Sequence, residues 1–241
     1  MKVTEKIMGM ETAIEILDDA KPQDVDAILE YFHTIDAVFS TYNKNSQLTR
    51  LNKGYLRLED ATPVVRKVLK LCEQTRLLTH GYFDSKIENH IDPSGLLKGF
   101  AIHEAAVQLE KKEYKNFYIE IGGDIEIHGH KNGQLWKVGL QNPVNKDSVI
   151  IVRLTDKGMA TSGLAHTGLP IYNPITRKVA SIYKSVTVIA VNAYEADRFS
   201  TTAYAMGVKA LDFLEKTDNV EALIFERDGK EVMTSGFAQY L

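Results

Sequence analysis

The chain has 241 residues, 44% hydrophobic and 25% charged, values of a globular protein with a sizeable core, which exclude a disordered chain and a disulfide-stapled miniature. Its 29 Lys and Arg against 32 Asp and Glu leave a formal charge of −3 without a dense basic run, which argues against a nucleic-acid partner. The single cysteine, Cys72, excludes an internal disulfide or a cysteine-based zinc site, and no apolar run reaches the roughly 18 residues that span a bilayer.

The opening MKVTEKIMGMETAIEIL lacks the charged, apolar and small-residue segments of a signal peptide. As written the chain reads as cytoplasmic; it would be a membrane-anchored lipoprotein had an N-terminal segment been removed. Alternation of Ile7, Thr12, Ile14 and Ile16 predicts a strand over residues 7–17. Val25, Ile28, Leu29, Phe32, Ile35 and Phe39 recur at helical spacing behind Pro22, predicting a helix over 22–39. A polar loop, STYNKNSQLTRLN, precedes a second helix at about 62–79 whose apolar face includes Cys72.

Residues 80–99 read as a glycine-bearing loop opening a third helix at GFAIHEAAVQLEKK. Short strands follow: NFYIEIGGDIEIHG, LWKVGLQN, SVIIVRLT, GMATSG and KSVTVIAV. A fourth helix covers 195–216, and EALIFERDGKEVMTSGF closes the chain as a hairpin turning at Asp228-Gly229. Without regular strand–helix alternation the class is α+β, a single domain over 1–241 with mainly antiparallel sheets and about four main helices.

Three segments can carry chemistry. In DPSGLLKGF, Gly95 and Gly99 permit close backbone approach, a helix N-terminus follows and Lys98 adds a point charge; this describes an anion site or an ordinary loop-to-helix turn. The spacing matches neither a Walker A loop nor a dinucleotide fingerprint. In IEIGGDIEIHG, Gly122 and Gly123 expose bare backbone beside Asp124, which suits a flat ligand or a plain hairpin turn; Thr161, Ser162 and Gly163 offer hydroxyls at a strand end. In AYEADRFSTTAYAMG, Asp197 and Thr201 share one helical face, so a carboxylate and a hydroxyl can meet one hard cation such as magnesium. The alternative is that Asp197 caps the helix and Thr201 bonds back to a carbonyl. No histidine pair has a metal motif, and no nucleophile elbow is present.

These segments occur in one order together with MGM (8–10), FSTYNKNSQLTRLN, GYFD (81–84), WKVGLQNP, NPITRK and TVIA, and the ordered series resembles the ApbE family of flavin transferases over nearly the whole chain. That resemblance implies an α+β domain of two intertwined subdomains. It also implies magnesium-dependent transfer of the FMN moiety of FAD to a threonine of a partner flavoprotein, with AMP released. By position, Met8, Tyr42, Tyr82, Phe83, Asp84, Asp92, Lys98 and Ile171 look like flavin contacts, with Gly122, Gly123, Asp124 and Ser162 beside them. The Gly95 carbonyl, Asp197, Thr201 and Ser200 look like magnesium ligands, and Asp197, Thr201 and Lys98 like the catalytic set. The chain departs from the family at LPIYNPITRK, where Pro170 stands at the usual histidine, Asn173 at the aspartate and Arg177 at a glycine; His166 lies four residues earlier. This departure keeps two other readings open, an FAD pyrophosphatase and a non-catalytic FAD-binding protein.

Overall fold

Eight antiparallel strands form one sheet in the computed structural model, which describes residues 1–88, 90–145, 147–163 and 170–241. Strands β1 (Lys2–Ile7) and β2 (Met10–Ile16) form a hairpin. The expected strand over 7–17 is therefore two strands: Met8 and Gly9, both at positive φ, supply the two-residue turn that the alternation pattern ran through.

Helix α1 (Pro22–Phe39) buries Val25, Ile28, Phe32, Ile35 and Phe39, the stripe that its spacing predicted, each contributing roughly 1.5–3 kcal/mol on burial. A short helix, α2 (Gln47–Asn52), is capped by the Ser46 hydroxyl inside the expected loop. Helix α3 (Pro63–Leu78) buries Val65, Val68 and Cys72. A small hairpin, β3 (Lys86–Ile87) and β4 (His90–Ile91), then leads into α4 (Ser94–Lys111). The third helix thus starts five residues before the expected Gly99, because Pro93 sits at its N-cap and Asp92 accepts the Ser94 N–H.

Strands β5 (Phe117–Ile121) and β6 (Asp124–His128) pair through the turn Gly122-Gly123. Then come the separate hairpin β7 (Trp136–Gln141) and β8 (Val149–Leu154), and β9 (Lys157–Gly163). A second small hairpin, β10 (Tyr172–Asn173) and β11 (Lys178–Val179), precedes β12 (Tyr183–Ala190). The expected helix over 195–216 is α5 (Ala193–Met206) and α6 (Ala210–Glu215), separated by a 3-10 turn at 207–209. Strands β13 (Glu221–Glu226) and β14 (Glu231–Met233) make the closing hairpin as expected.

The sheet order is β1-β2-β5-β6-β9-β12-β13-β14. On one face, α1, α3 and α4 pack over β1, β2 and β5. On the same face α5 and α6 pack over β9, β12 and β13. The alternate residues of β6, β9, β12 and β13 join Trp136, Val152 and Phe237 in a third cluster on the opposite face. Two helix-on-sheet halves therefore meet where β6 pairs with β9, and α4 and α5 lie side by side over that seam.

Candidate functional site

The close approach of α4 to α5 builds the site. A Cβ added at Gly99 would lie 2.3 Å from the Ala193 carbonyl oxygen and 2.6 Å from the Asp197 Cβ; at Gly95 it would lie 2.9 Å from the Thr201 Cγ2. The room at these two glycines seats α5, and Gly95 also lines the cavity described below. In consequence the Gly99 N–H donates to Asp197 Oδ2 at 2.8 Å. This is the N–H whose helical partner would be the Gly95 carbonyl.

Asp197 does not cap α5. That task falls to Asn192, which accepts the Glu195 N–H at 2.9 Å. Nor does Thr201 bond back along the helix; its Oγ1 lies 3.2 Å from Ser162 Oγ on β9, while Thr202 makes the back-bond to Arg198. The Ser162 hydroxyl also meets Ser200 Oγ at 2.9 Å, and Ser200 donates to the Asp197 carbonyl. Ser200 is fully buried behind this surface.

Lys98 reaches across from α4 to Asp124 on β6, Nζ to Oδ2 2.6 Å, and Asp124 Oδ1 accepts the Thr161 N–H. Burial pushes the Lys98 ammonium down, but the carboxylates of Asp124 and Asp197 outweigh it and hold its pKa above the ordinary value. Asp197 shifts upward, first by burial and then by the Asp124 charge, against the pull of Lys98 and the Gly99 N–H. Two carboxyl groups thus share one lysine, an arrangement that a cation would relieve.

This cluster forms one end of a cavity of about 1160 Å³. Met8, Tyr42, Tyr82, Phe83, Asp84, Asp92, Gly95, Lys98, Ser162, Ile171, Asp197 and Thr201 all line it. Gly122 and Gly123 do not. Their φ values of 57° and 91° make the β5–β6 turn, and with Asp124 they line a separate cavity of about 500 Å³. Asp124 touches the main site through Lys98 and through the N–H of Thr161, both of which line it. Tyr42 stands at the rim, 93% exposed. His166 lies outside the described residues.

Spacing alone missed several lining residues. Asp36 near the end of α1 accepts the Met8 N–H at 3.2 Å and so fixes the β1–β2 turn against the cavity. Asn173 donates to the Ala205 carbonyl at 2.9 Å, pinning the β10–β11 hairpin beside α5 and bringing Pro170 and Arg177 into the wall. Pro170, Asn173 and Arg177 are the three positions at which the sequence departs from the family pattern, and all three line the cavity.

Chemically, the pole of the cavity offers a carboxylate, hydroxyls and a main-chain carbonyl, all hard oxygen donors suited to magnesium. Among the described residues, five lining carboxyl groups (Asp36, Asp84, Glu88, Asp92 and Asp197) stand against three cationic side chains (Lys86, Lys98 and Arg177), a balance that favours a cation over a bare anion. The uncharged lining combines aromatic and aliphatic side chains with hydroxyls such as Ser40, Thr41, Ser94 and Thr161, and the volume slightly exceeds the roughly 300–1,000 Å³ of small-molecule sites.

The chain matches the family model described as the ApbE family over residues 8–91 and 85–224. Among curated relatives, the FAD:protein FMN transferase of Haemophilus influenzae is 24% identical, covering 97% of this chain and 88% of that protein. The Vibrio cholerae enzyme of the same name is 28% identical over 64% of this chain and 51% of its own length. Of solved structures, the flavin transferase ApbE from Vibrio cholerae superposes with a TM-score of 0.85 at 22% identity, covering 100% of this chain and 99% of that one. The ApbE protein from Thermotoga maritima gives 0.86 at 22% identity, covering 100% and 98%.

Proposed function

Because the chain belongs to the ApbE family, we propose that residues 1–241 act as one flavin transferase, moving the FMN moiety of FAD onto a threonine hydroxyl of an acceptor flavoprotein in a magnesium-dependent reaction that releases AMP. The observation that carries this reading is a single cavity joining an apolar, aromatic wall at Met8, Tyr82, Phe83 and Ile171 to the oxygen cluster of Gly95, Asp197 and Thr201. The names of the curated relatives support the same reaction class.

In this reading the wall orients the flavin, with Tyr42 closing over the ring, and the pyrophosphate lies at the α4–α5 seam. Asp197, Thr201 and the Gly95 carbonyl would hold magnesium, which when bound neutralises phosphate oxygens and polarises the phosphorus. Lys98 adds fixed positive potential there, and its partner Asp124 keeps the ammonium oriented. The acceptor hydroxyl oxygen forms a bond to the FMN-side phosphorus as the bond to the AMP oxygen breaks. AMP leaves with that electron pair, and the hydroxyl proton passes to a base.

Purified protein incubated with FAD, magnesium and a threonine-bearing flavoprotein domain should yield a covalently flavinylated target and one AMP per target. Absence of flavinylation across metals and acceptors would refute the proposal. A second reading has its own observation: Pro170 lines the cavity where the family has histidine. It holds that water replaces the hydroxyl, or that FAD is bound without turnover. AMP released without an acceptor would favour the first, and FAD retained without AMP the second.

A further inference from the structure

The face of β6 turned toward the helices carries Asp124, Glu126 and His128, alternate residues of one strand. Asp124 serves Lys98; Glu126 has a different set of partners. Its Oε1 accepts from His103 Nδ1 on α4 at 3.0 Å and from His128 Nε2 at 3.2 Å, and its Oε2 accepts the Ala193 N–H, the first residue of α5, at 2.8 Å. Only 2% of Glu126 is exposed, and it does not line the cavity.

Ala193 is enclosed on its other sides as well. Its carbonyl oxygen lies 2.3 Å from where a Gly99 Cβ would be, and its amide nitrogen lies 2.1 Å from where a Gly158 Cβ would be. Ala193 stands four residues before Asp197, about 6 Å along the helix axis. Glu126 stands two residues from Asp124, about 7 Å along the strand. The two strand carboxylates therefore match the first turn of α5: Asp124 lies beside the Lys98–Asp197 level and Glu126 beside the helix start.

We infer that Glu126 is a positioning residue for the metal pole: by tying the first N–H of α5 to β6 and, through His103, to α4, it sets how far Asp197 and Thr201 stand from the Gly95 carbonyl. This rests on the functional reading for the presence and identity of the cation at that pole. The carboxylate acts through its reach to Ala193 rather than through its charge at the pocket.

Two substitutions separate reach from charge. Glu126→Gln keeps the length and an acceptor oxygen but loses the charge; Glu126→Asp keeps the charge and is one methylene short of the Ala193 N–H. Calorimetric titration of magnesium and manganese into the FAD-loaded protein should show Glu126→Asp weakening the metal by about tenfold or more and Glu126→Gln by much less. FAD affinity without metal should stay near wild type in both. Hydrogen exchange on the ligand-free protein should show faster exchange at the Ala193 amide in Glu126→Asp than in Glu126→Gln or wild type.

Equal metal affinity in Glu126→Asp and wild type overturns the inference, as does weakening in Glu126→Gln that matches or exceeds that in Glu126→Asp. Unchanged Ala193 exchange overturns it even if either variant folds poorly. Failure of flavin transfer with these metal and exchange results intact would refute the proposed reaction and leave the role of Glu126 standing.

Discussion

Gly99→Ala tests the helix seam on which the site depends. Alanine in a helix interior is favoured over glycine by about 1 kcal/mol, so at an open position the change would stabilise. At Gly99 the new methyl would lie 2.3 Å from the Ala193 oxygen and 2.6 Å from the Asp197 Cβ, about 1 Å inside van der Waals contact. Neither neighbour is the end of a flexible side chain, so α4 and α5 must separate. Overpacking of this kind costs up to about 3 kcal/mol; set against the propensity gain, the net loss is about 2 kcal/mol. For a chain of this size that is a fall of about 4–8 °C in Tm. Separation also stretches the Gly99–Asp197 hydrogen bond, and a misplacement of about 1 Å costs about a hundredfold in turnover. Urea unfolding and scanning calorimetry measure the first effect, and AMP release with acceptor present the second. A Gly99→Ala protein more stable than wild type would show that propensity wins and that the close approach is not what holds the site.

Asp197→Ala should abolish magnesium-dependent turnover while sparing much of the flavin affinity; unchanged turnover in steady-state assays would remove it from the metal pole. Lys98→Met strands Asp124, 2% exposed, without its counter-ion and should cost about 3 kcal/mol or more by chemical denaturation, a cost that wild-type-like stability would contradict. Tyr42→Ala, at an exposed position, should leave stability within about 0.5 kcal/mol and weaken FAD, so an unaltered FAD Kd would exclude Tyr42 from the site. The His103–Glu126 pair makes stability depend on pH in a defined sense. Burial raises the Glu126 pKa, but hydrogen bonds from His103 and His128 outweigh it and hold the carboxyl below its ordinary 4.5; its stabilisation is present above that value and is lost as pH falls through the lowered folded one. Burial lowers the His103 pKa, but the Glu126 hydrogen bond and charge outweigh it and hold the imidazole above its ordinary 6.5; its stabilisation is present below that value and is lost as pH rises through the raised one. The Tm difference between wild type and His103→Asn should therefore narrow at both ends of the pH range, and a flat difference would refute the pairing.

Local pattern carried α1, α3 and the body of α5, because each buries a stripe at helical spacing and a proline or asparagine marks its start. The Asp197–Thr201 pair was legible for the same reason, since one face follows from a spacing of four. The start of α4 was not, because Gly95 and Gly99 look like loop residues until α5 is laid against them. Sheet order was also hidden: the pairing of β6 with β9 joins segments separated by the β7–β8 hairpin, and no short-range signal encodes it. Glu126 escaped attention because an alternating strand written D-I-E-I-H looks half solvated. Only the packing of α4 and α5 over β6 buries its charged face and gives each group a partner.

The hydrogen bond between Gly99 and Asp197 closes a loop of 98 residues. α4 leaves the ribosome long before α5 exists, so a nascent chain holds no binding pole, and neither half can present one by folding alone. α4 packs in one helical core and α5 in the other, so the contact between them is complete only when both cores are folded. Any ligand captured there therefore binds only the complete native state. Its binding free energy adds to resistance against global unfolding, rising with the logarithm of free ligand concentration once the site is saturated. Ligand supply would thereby lengthen the lifetime of the folded chain in the presence of proteases.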